Sequence, residues 1–210
     1  APWHQVAGAV GGQADGGGLT MAASPAPLPV LVVLGGLPGV GKSSIAHALL
    51  SQWPAVYLRI DTIEQARRDS NVLAGGDVGP AGYLVAYALA RTQLAQGLPV
   101  LADCVNPLQV TRNAWRSVAE VVQVPSLFVE VVCTDATEHR RRVETRVGDV
   151  AGLAVPTWDA VQRHDYAPWA EGRGQRLLVD TARLSAQDAA ALVLAALRSQ
   201  ITPRAAVRSG

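Results

Sequence analysis

The chain has 210 residues, 49% of them hydrophobic, and a net charge of +1. That suffices for one domain with a sizeable core and excludes a protein that holds nucleic acid through a large basic excess. No apolar run approaches the roughly 20 residues that span a bilayer, and the two cysteines, Cys104 and Cys133, lack metal-ligand spacing. They read as small buried hydrophobes in a reducing cytoplasm.

Residues 1–28 are rich in Gly, Ala and Pro, cannot bury enough apolar surface to offset their ordering, and are expected to form a disordered tail. Residues 30–34, Val-Leu-Val-Val-Leu, read as a strand buried on both faces. Directly after it stands Gly36-x-x-x-x-Gly41-Lys42-Ser43, and Ile45, Ala48 and Leu49 then recur at helical spacing. Strand, glycine-rich loop and helix N-terminus together predict a phosphate-binding loop, the Walker A pattern, and so a nucleotide-binding site. Glycines let backbone N–H groups converge on phosphate oxygens. Lys42 supplies a point charge to the outer phosphates, and the Ser43 hydroxyl suits Mg²⁺. The candidate loop ligands are Gly36, Leu37, Pro38, Gly39, Val40, Gly41, Lys42, Ser43 and Ser44.

Trp53-Pro54 breaks the chain, and residues 55–60 read as a second strand ending in Asp61. A carboxylate at a strand's C-terminal end lies where open α/β sheets place their sites, which makes Asp61 the candidate base. Thr62-Ile63-Glu64 could equally start a helix that Asp61 caps, and Glu64 is either a cap partner or a substrate ligand. Residues 71–80 are expected to loop, and 83–96 to form a helix with Tyr83 and Tyr87 on one face. A third strand, 98–102, leads to Asp103, a candidate Mg²⁺-directed carboxylate. Asn106 and Pro107 predict the cap and first residue of a helix burying Ala114, Trp115, Val118 and Val122. Arg59, Glu64, Tyr83, Tyr87 and Arg112, with Arg116, are candidates to line an acceptor pocket, although the tyrosines also suit the core.

Residues 126–133 form the fourth expected strand and 134–146 a helix with Arg142 and Arg146 on a shared face. Phosphoryl transfer spreads negative charge over equatorial oxygens, which makes these arginines candidates for the transferring phosphate. Gly148 and Gly152 follow as hinges of a lid, and residues 156–158 open a helix running toward Trp169. His47, His139 and His164 lack metal spacing and read as structural or surface groups. Residues 177–180 make a fifth strand, ending in Asp180, a further nucleotide-side candidate. Ser185-x-x-Asp188 then starts a final helix that buries Ala189, Leu192, Val193, Ala196 and Leu197. Five strands alternating with helices predict a three-layer α/β sandwich around a parallel sheet. The expected organisation is a tail over 1–28, one domain over 29–200 with a lid near 140–156, and a frayed end over 201–210.

Residues 36–44, Asp61, the Ala102-Asp103-Cys104-Val105-Asn106-Pro107 stretch and Arg142-x-x-x-Arg146 resemble the nucleoside-monophosphate-kinase-like branch of phosphate-loop proteins. That branch includes adenylate, shikimate, gluconate and adenylylsulfate kinases, chloramphenicol phosphotransferase and zeta-type toxins. The likeness is strongest to its small "AAA family ATPase" kinases. The resemblance implies the P-loop NTPase fold with sheet order 2-3-1-4-5, ATP and Mg²⁺ as cofactors, and an arginine-bearing lid. It further implies Asp61 as the base, Arg142 near the adenine and Arg146 near the phosphates. Adenylate-kinase arginine patterns for a second nucleotide are not found. The expected activity is an ATP-dependent phosphotransferase on a hydroxyl of a small molecule, with no nucleic-acid or membrane partner and a cytoplasmic location. The alternatives are a nucleotide-binding switch or slow ATPase accessory protein, and a polynucleotide or nucleotide-sugar kinase.

Overall fold

Strand β1 (Leu31–Gly35) is buried at every position, and its side chains divide between two cores as the pleat of a strand demands. Val30, Val32 and Leu34 pack on one face; Leu31 and Val33 pack on the other. This is a computed structural model describing residues 28–70, 80–169 and 176–201. Residues 1–27 of the expected tail, 71–79 of the expected loop and 202–210 of the expected frayed end lie outside those described.

The chain continues through α1 (Lys42–Leu50), β2 (Val56–Arg59), α2 (Ile60–Asp69), α3 (Ala81–Ala95) and β3 (Val100–Asp103). It goes on through α4 (Gln109–Val121), β4 (Ser126–Val132), α5 (Ala136–Thr145), α6 (Trp158–Gln162), β5 (Arg176–Asp180) and α7 (Ala186–Ile201). All described strand pairs are parallel, in the order β2-β3-β1-β4-β5. Helices α1 and α7 supply Ile45, Leu49, Val193 and Leu197 to one core; α3 and α4 supply Ala86, Ala90, Trp115 and Val118 to the other. The architecture is the expected α/β sandwich. Register levels the C-terminal ends of the first three strands, since Leu34 and Arg59 both lie opposite Asp103. The chemistry-bearing residues therefore share one edge of the sheet.

Several local expectations are corrected. Ile60 is the first residue of α2, not the last of a strand, so Asp61 stands in a helical first turn. Burial of Ile60 in the core beside α3 explains why it suited either element. Asn106 and Pro107 do not open α4, whose N-cap is Leu108. Instead Asn106 is fully buried with φ of 51°, and the carbonyls of Asn106 and Pro107 receive the Arg112 guanidinium at 3.1 and 2.8 Å. The helix expected to run toward Trp169 ends at Gln162, where the His164 N–H turns back to the Val161 carbonyl; farther on, the carbonyls of Ala167 and Pro168 accept from Arg112. In α7 Ala190 is buried where Leu192 was expected; Leu192 faces solvent.

Candidate functional site

The phosphate loop connects β1 to α1 through backbone that only glycine adopts readily. Gly36, Gly39 and Gly41 have φ of 151°, 84° and 93°. A side chain at Gly36 would strike the Val131 carbonyl, and one at Gly39 would come within 2.5 Å of Val143 on α5. Helix α1 then begins with no side-chain cap, so its first N–H groups and its positive end stand at the cavity without a capping side chain. Lys42 Nζ donates to the Leu37 carbonyl at 3.1 Å. Burial lowers the Lys42 pKa, and Asp103 and Asp61 oppose that shift.

A cavity of about 620 Å³ opens on this loop. Pro38, Gly39, Gly41, Lys42, Ser43 and Ser44 line one side, and Asp61 enters from the first turn of α2 and Asp103 from the end of β3. Arg142 and Arg146 close it from α5, with residues 147–150 and 153–156 across the mouth. Six sequence candidates from four stretches of the chain, Lys42, Ser43, Asp61, Asp103, Arg142 and Arg146, thus meet around one space. Arg146 is the C-cap of α5 with extended backbone, so it leaves the helical face that Arg142 keeps.

The oxygen atoms around Asp103 suit a hard cation. Ser43 Oγ donates to Asp103 Oδ2 at 2.7 Å, and the Tyr57 hydroxyl donates to the same oxygen at 2.9 Å. A hydroxyl and a carboxylate held together beside the phosphate loop form the all-oxygen donor set that Mg²⁺ prefers. Burial and the neighbouring Asp103 charge push the Tyr57 pKa up, so its hydroxyl stays a donor.

Other candidates lie elsewhere. Arg112 is fully buried and saturated by backbone carbonyls, and its guanidinium stacks on Trp169 with 4.4 Å to the ring centroid. It is scaffold. Arg116 covers the Phe128 ring. Tyr83 accepts from the Asn106 N–H, Tyr87 donates to the Thr111 carbonyl, and both pack in the core between α3 and the sheet. Glu64 faces α3 beside Gly82 and pairs with Arg68 at 3.7 Å. Asp180 holds the N–H and hydroxyl of Thr134 and the N–H of Ala182, which ties two loops together. None of these lines the cavity. Arg59 is buried behind it, gripping Asp149 with two hydrogen bonds of 2.5 and 3.0 Å and lying 3.6 Å from Asp61. Within the loop, Gly36, Leu37 and Val40 shape the backbone without lining the cavity.

Two residues lining the cavity, Asp149 and Thr181, escaped the sequence reading. Asp149 also accepts from Arg146 at 3.1 Å, and its place three residues after that arginine was the one local signal. Thr181 Oγ1 lies 2.9 Å from the Val40 carbonyl and accepts from Arg142 at 2.9 Å; no spacing pointed to it. His139 is buried against the loop, with Nε2 at 2.8 Å from the Pro38 carbonyl.

The AAA domain family model matches residues 31–165, the span from β1 past α6. The chain belongs to the AAA domain family. No curated protein matches. Among solved structures, this AAA domain is similar to Chaetomium thermophilum Kti12 in complex with ADP-AlF3 (TM-score 0.61, 21% identity, 81% of this chain and 98% of that one). It is also similar to Mycobacterium tuberculosis APS kinase CysC in complex with AMPPNP and APS (0.58, 18%, 82% and 99%). A gluconokinase from Sinorhizobium meliloti 1021 gives 0.57 at 19% identity over 83% and 98%. At these identities the likeness is one of fold, and the fold is that of the nucleoside-monophosphate-kinase-like group. The AAA domain thus has the fold found in nucleotide-binding kinases and ATPases. Among the described residues no helix is long and apolar enough to cross a membrane.

Proposed function

We propose that this AAA domain is an ATP-dependent phosphotransferase acting on a hydroxyl group of a small molecule. The observation that carries the reading is the approach of Asp61 to the cavity that Lys42, Ser43, Asp103 and Arg146 also line. A site that only binds or slowly hydrolyses nucleotide needs the loop and its cation ligands. It does not need a carboxylate aimed from a separate helix at the space before the terminal phosphate.

In this reading the loop N–H groups and Lys42 hold the triphosphate. Ser43 and Asp103 would hold Mg²⁺, which would neutralise phosphate charge. Asp61 accepts the acceptor's hydroxyl proton as that oxygen attacks the terminal phosphorus; the bond from this phosphorus to its bridging oxygen breaks and ADP leaves. Arg146 meets the charge that develops on the transferring group, and Arg142, held by Thr181, lies toward the base end of the nucleotide. Residues 147–156 cover the site and exclude water. The complexes of the similar proteins, with AMPPNP and APS in one and with ADP-AlF3 in another, are compatible with this assignment.

The test is incorporation of terminal phosphate from labelled ATP into a metabolite extract, with Lys42→Ala as control. A labelled small molecule that depends on Lys42 supports the proposal. Lys42-dependent release of inorganic phosphate with no labelled acceptor would replace it with the switch or slow-ATPase reading.

A further inference from the structure

His139 lies in the middle of a charged helix, yet it is buried while Arg140 and Arg141 beside it are exposed. Its ring packs edge-on against Trp158, with centroids 5.1 Å apart, and its Nε2 is 2.8 Å from the Pro38 carbonyl oxygen. A carbonyl only accepts, so Nε2 carries the proton and donates. Docking of α5 has other anchors, namely the Asp135 cap and buried Val143. The hydrogen bond to the loop needs a separate explanation.

Pro38–Gly39 is a peptide in the loop that is free to turn over. Proline fixes one side, and glycine accepts φ of either sign on the other. Gly39 has φ of 84°, the value at the third position of a type II turn; a flipped peptide would give it a negative φ. The peptide is trans, so its C=O and N–H point in opposite directions. Holding the Pro38 oxygen toward α5 therefore leaves the Gly39 N–H directed away from α5, on the cavity that Gly39 lines.

We infer that His139 is a positioning residue for the phosphate loop. By donating to the Pro38 carbonyl, it locks the Pro38–Gly39 peptide so that the Gly39 N–H is presented to a nucleotide phosphate. The same bond joins the loop to the helix that carries Arg142 and Arg146, so loop and lid arginines are set together. The inference rests on the nucleotide reading above.

The test compares the full-length protein with His139→Phe, which keeps a ring against Trp158 but loses the donor, and His139→Gln, which keeps an N–H donor. ATP affinity is measured by calorimetry with Mg²⁺, alongside thermal unfolding. One lost, well-aligned hydrogen bond predicts an ATP Kd raised about 3- to 10-fold in His139→Phe, with substantial recovery in His139→Gln. Equal ATP affinity in His139→Phe and wild type overturns the inference, as does an equal loss in both variants tracking a fall in unfolding temperature. Should the variants not fold, the wild-type tautomer decides, since nitrogen NMR must show a protonated Nε2; a proton on Nδ1 alone refutes the inference. Lys42→Ala separates the two readings. If wild type binds ATP through Lys42 while His139→Phe matches it, only the His139 role fails; if wild type binds no ATP, the nucleotide reading fails with it.

Discussion

Lys42 is pulled in two directions: burial of its ammonium lowers its pKa, while the carboxylates of Asp103 and Asp61 favour the charge. Its hydrogen bond to the Leu37 carbonyl satisfies one proton and leaves the others for phosphate oxygens. Lys42→Ala is expected to abolish measurable ATP binding and transfer while unfolding at nearly the wild-type temperature, because this side chain meets ligand and not core. Unchanged ATP affinity by calorimetry would sink the phosphate-loop assignment. Asp61 admits a finer test, because the N-terminus of α2 has no side-chain cap for it to lose. Asp61→Asn should change stability by only a few tenths of a kcal/mol, the scale of one exposed charge near a helix end. Transfer to acceptor should fall roughly 10²- to 10⁴-fold, the usual contribution of a positioned base, with ATP affinity retained. Turnover close to wild type would remove the base from the mechanism.

Ion pairing ties the segment after α5 to two other elements. Asp149 is held by Arg59 at the end of β2 and by Arg146 at the end of α5, so one carboxylate spans the mouth of the site. Hydrogen bonds from Arg59, then from Arg146, hold its carboxyl well below the usual carboxylate range. Because the folded pKa is the lower one, this contribution is fully present above the ordinary Asp value of about 3.9. It is lost only as pH falls through the depressed value. Anchoring of residues 147–156 should therefore be constant from about pH 5 to 8 and loosen only in stronger acid. Asp149→Asn removes the charge at every pH and should speed hydrogen exchange over 147–156 at neutral pH, on the order of 5-fold for a partly exposed pair. Exchange that stays at the wild-type rate would show that packing, not the ion pair, seats this segment.

At the scale of the molecule, the sheet is sealed on the α3–α4 side by a buried cation. Arg112 joins α4 to the carbonyls of Asn106, Pro107, Ala167 and Pro168, and its guanidinium lies beneath Trp169. Trp169 in turn abuts Gly35, where any side chain would collide with its ring. Arg112→Leu would take the guanidinium donors from the carbonyls of Asn106, Ala167 and Pro168, while Pro107 keeps the Ala167 N–H, at an expected cost of about 3 to 5 kcal/mol. Denaturant unfolding should show that loss, while the ATP affinity of the folded fraction should match wild type, because Arg112 touches neither loop nor cavity. A selective loss of acceptor turnover with unchanged stability would return Arg112 to the substrate pocket.

Much of this protein is local in origin and could be read in order along the chain. The run of β-branched residues in β1, the glycines of the loop, Lys42, Ser43 and the helical repeat after them lie within twenty residues. Their spacing carries their geometry. The carboxylates Asp61 and Asp103 were also legible, since a parallel sheet collects strand ends at one edge. Boundaries were less so: Ile60 and Asn106 satisfy strand, helix and cap preferences alike, and only burial and the reach of Arg112 chose among them. Tertiary structure alone decided the partners that come from far along the chain. Asp149 reaches Arg59 across 90 residues and Thr181 reaches Val40 across 141, separations over which no periodicity extends. It also reversed the meaning of polar residues, sending Arg112 into the core and turning His139 onto the phosphate loop, because a side chain's chemistry is set by what the fold packs against it.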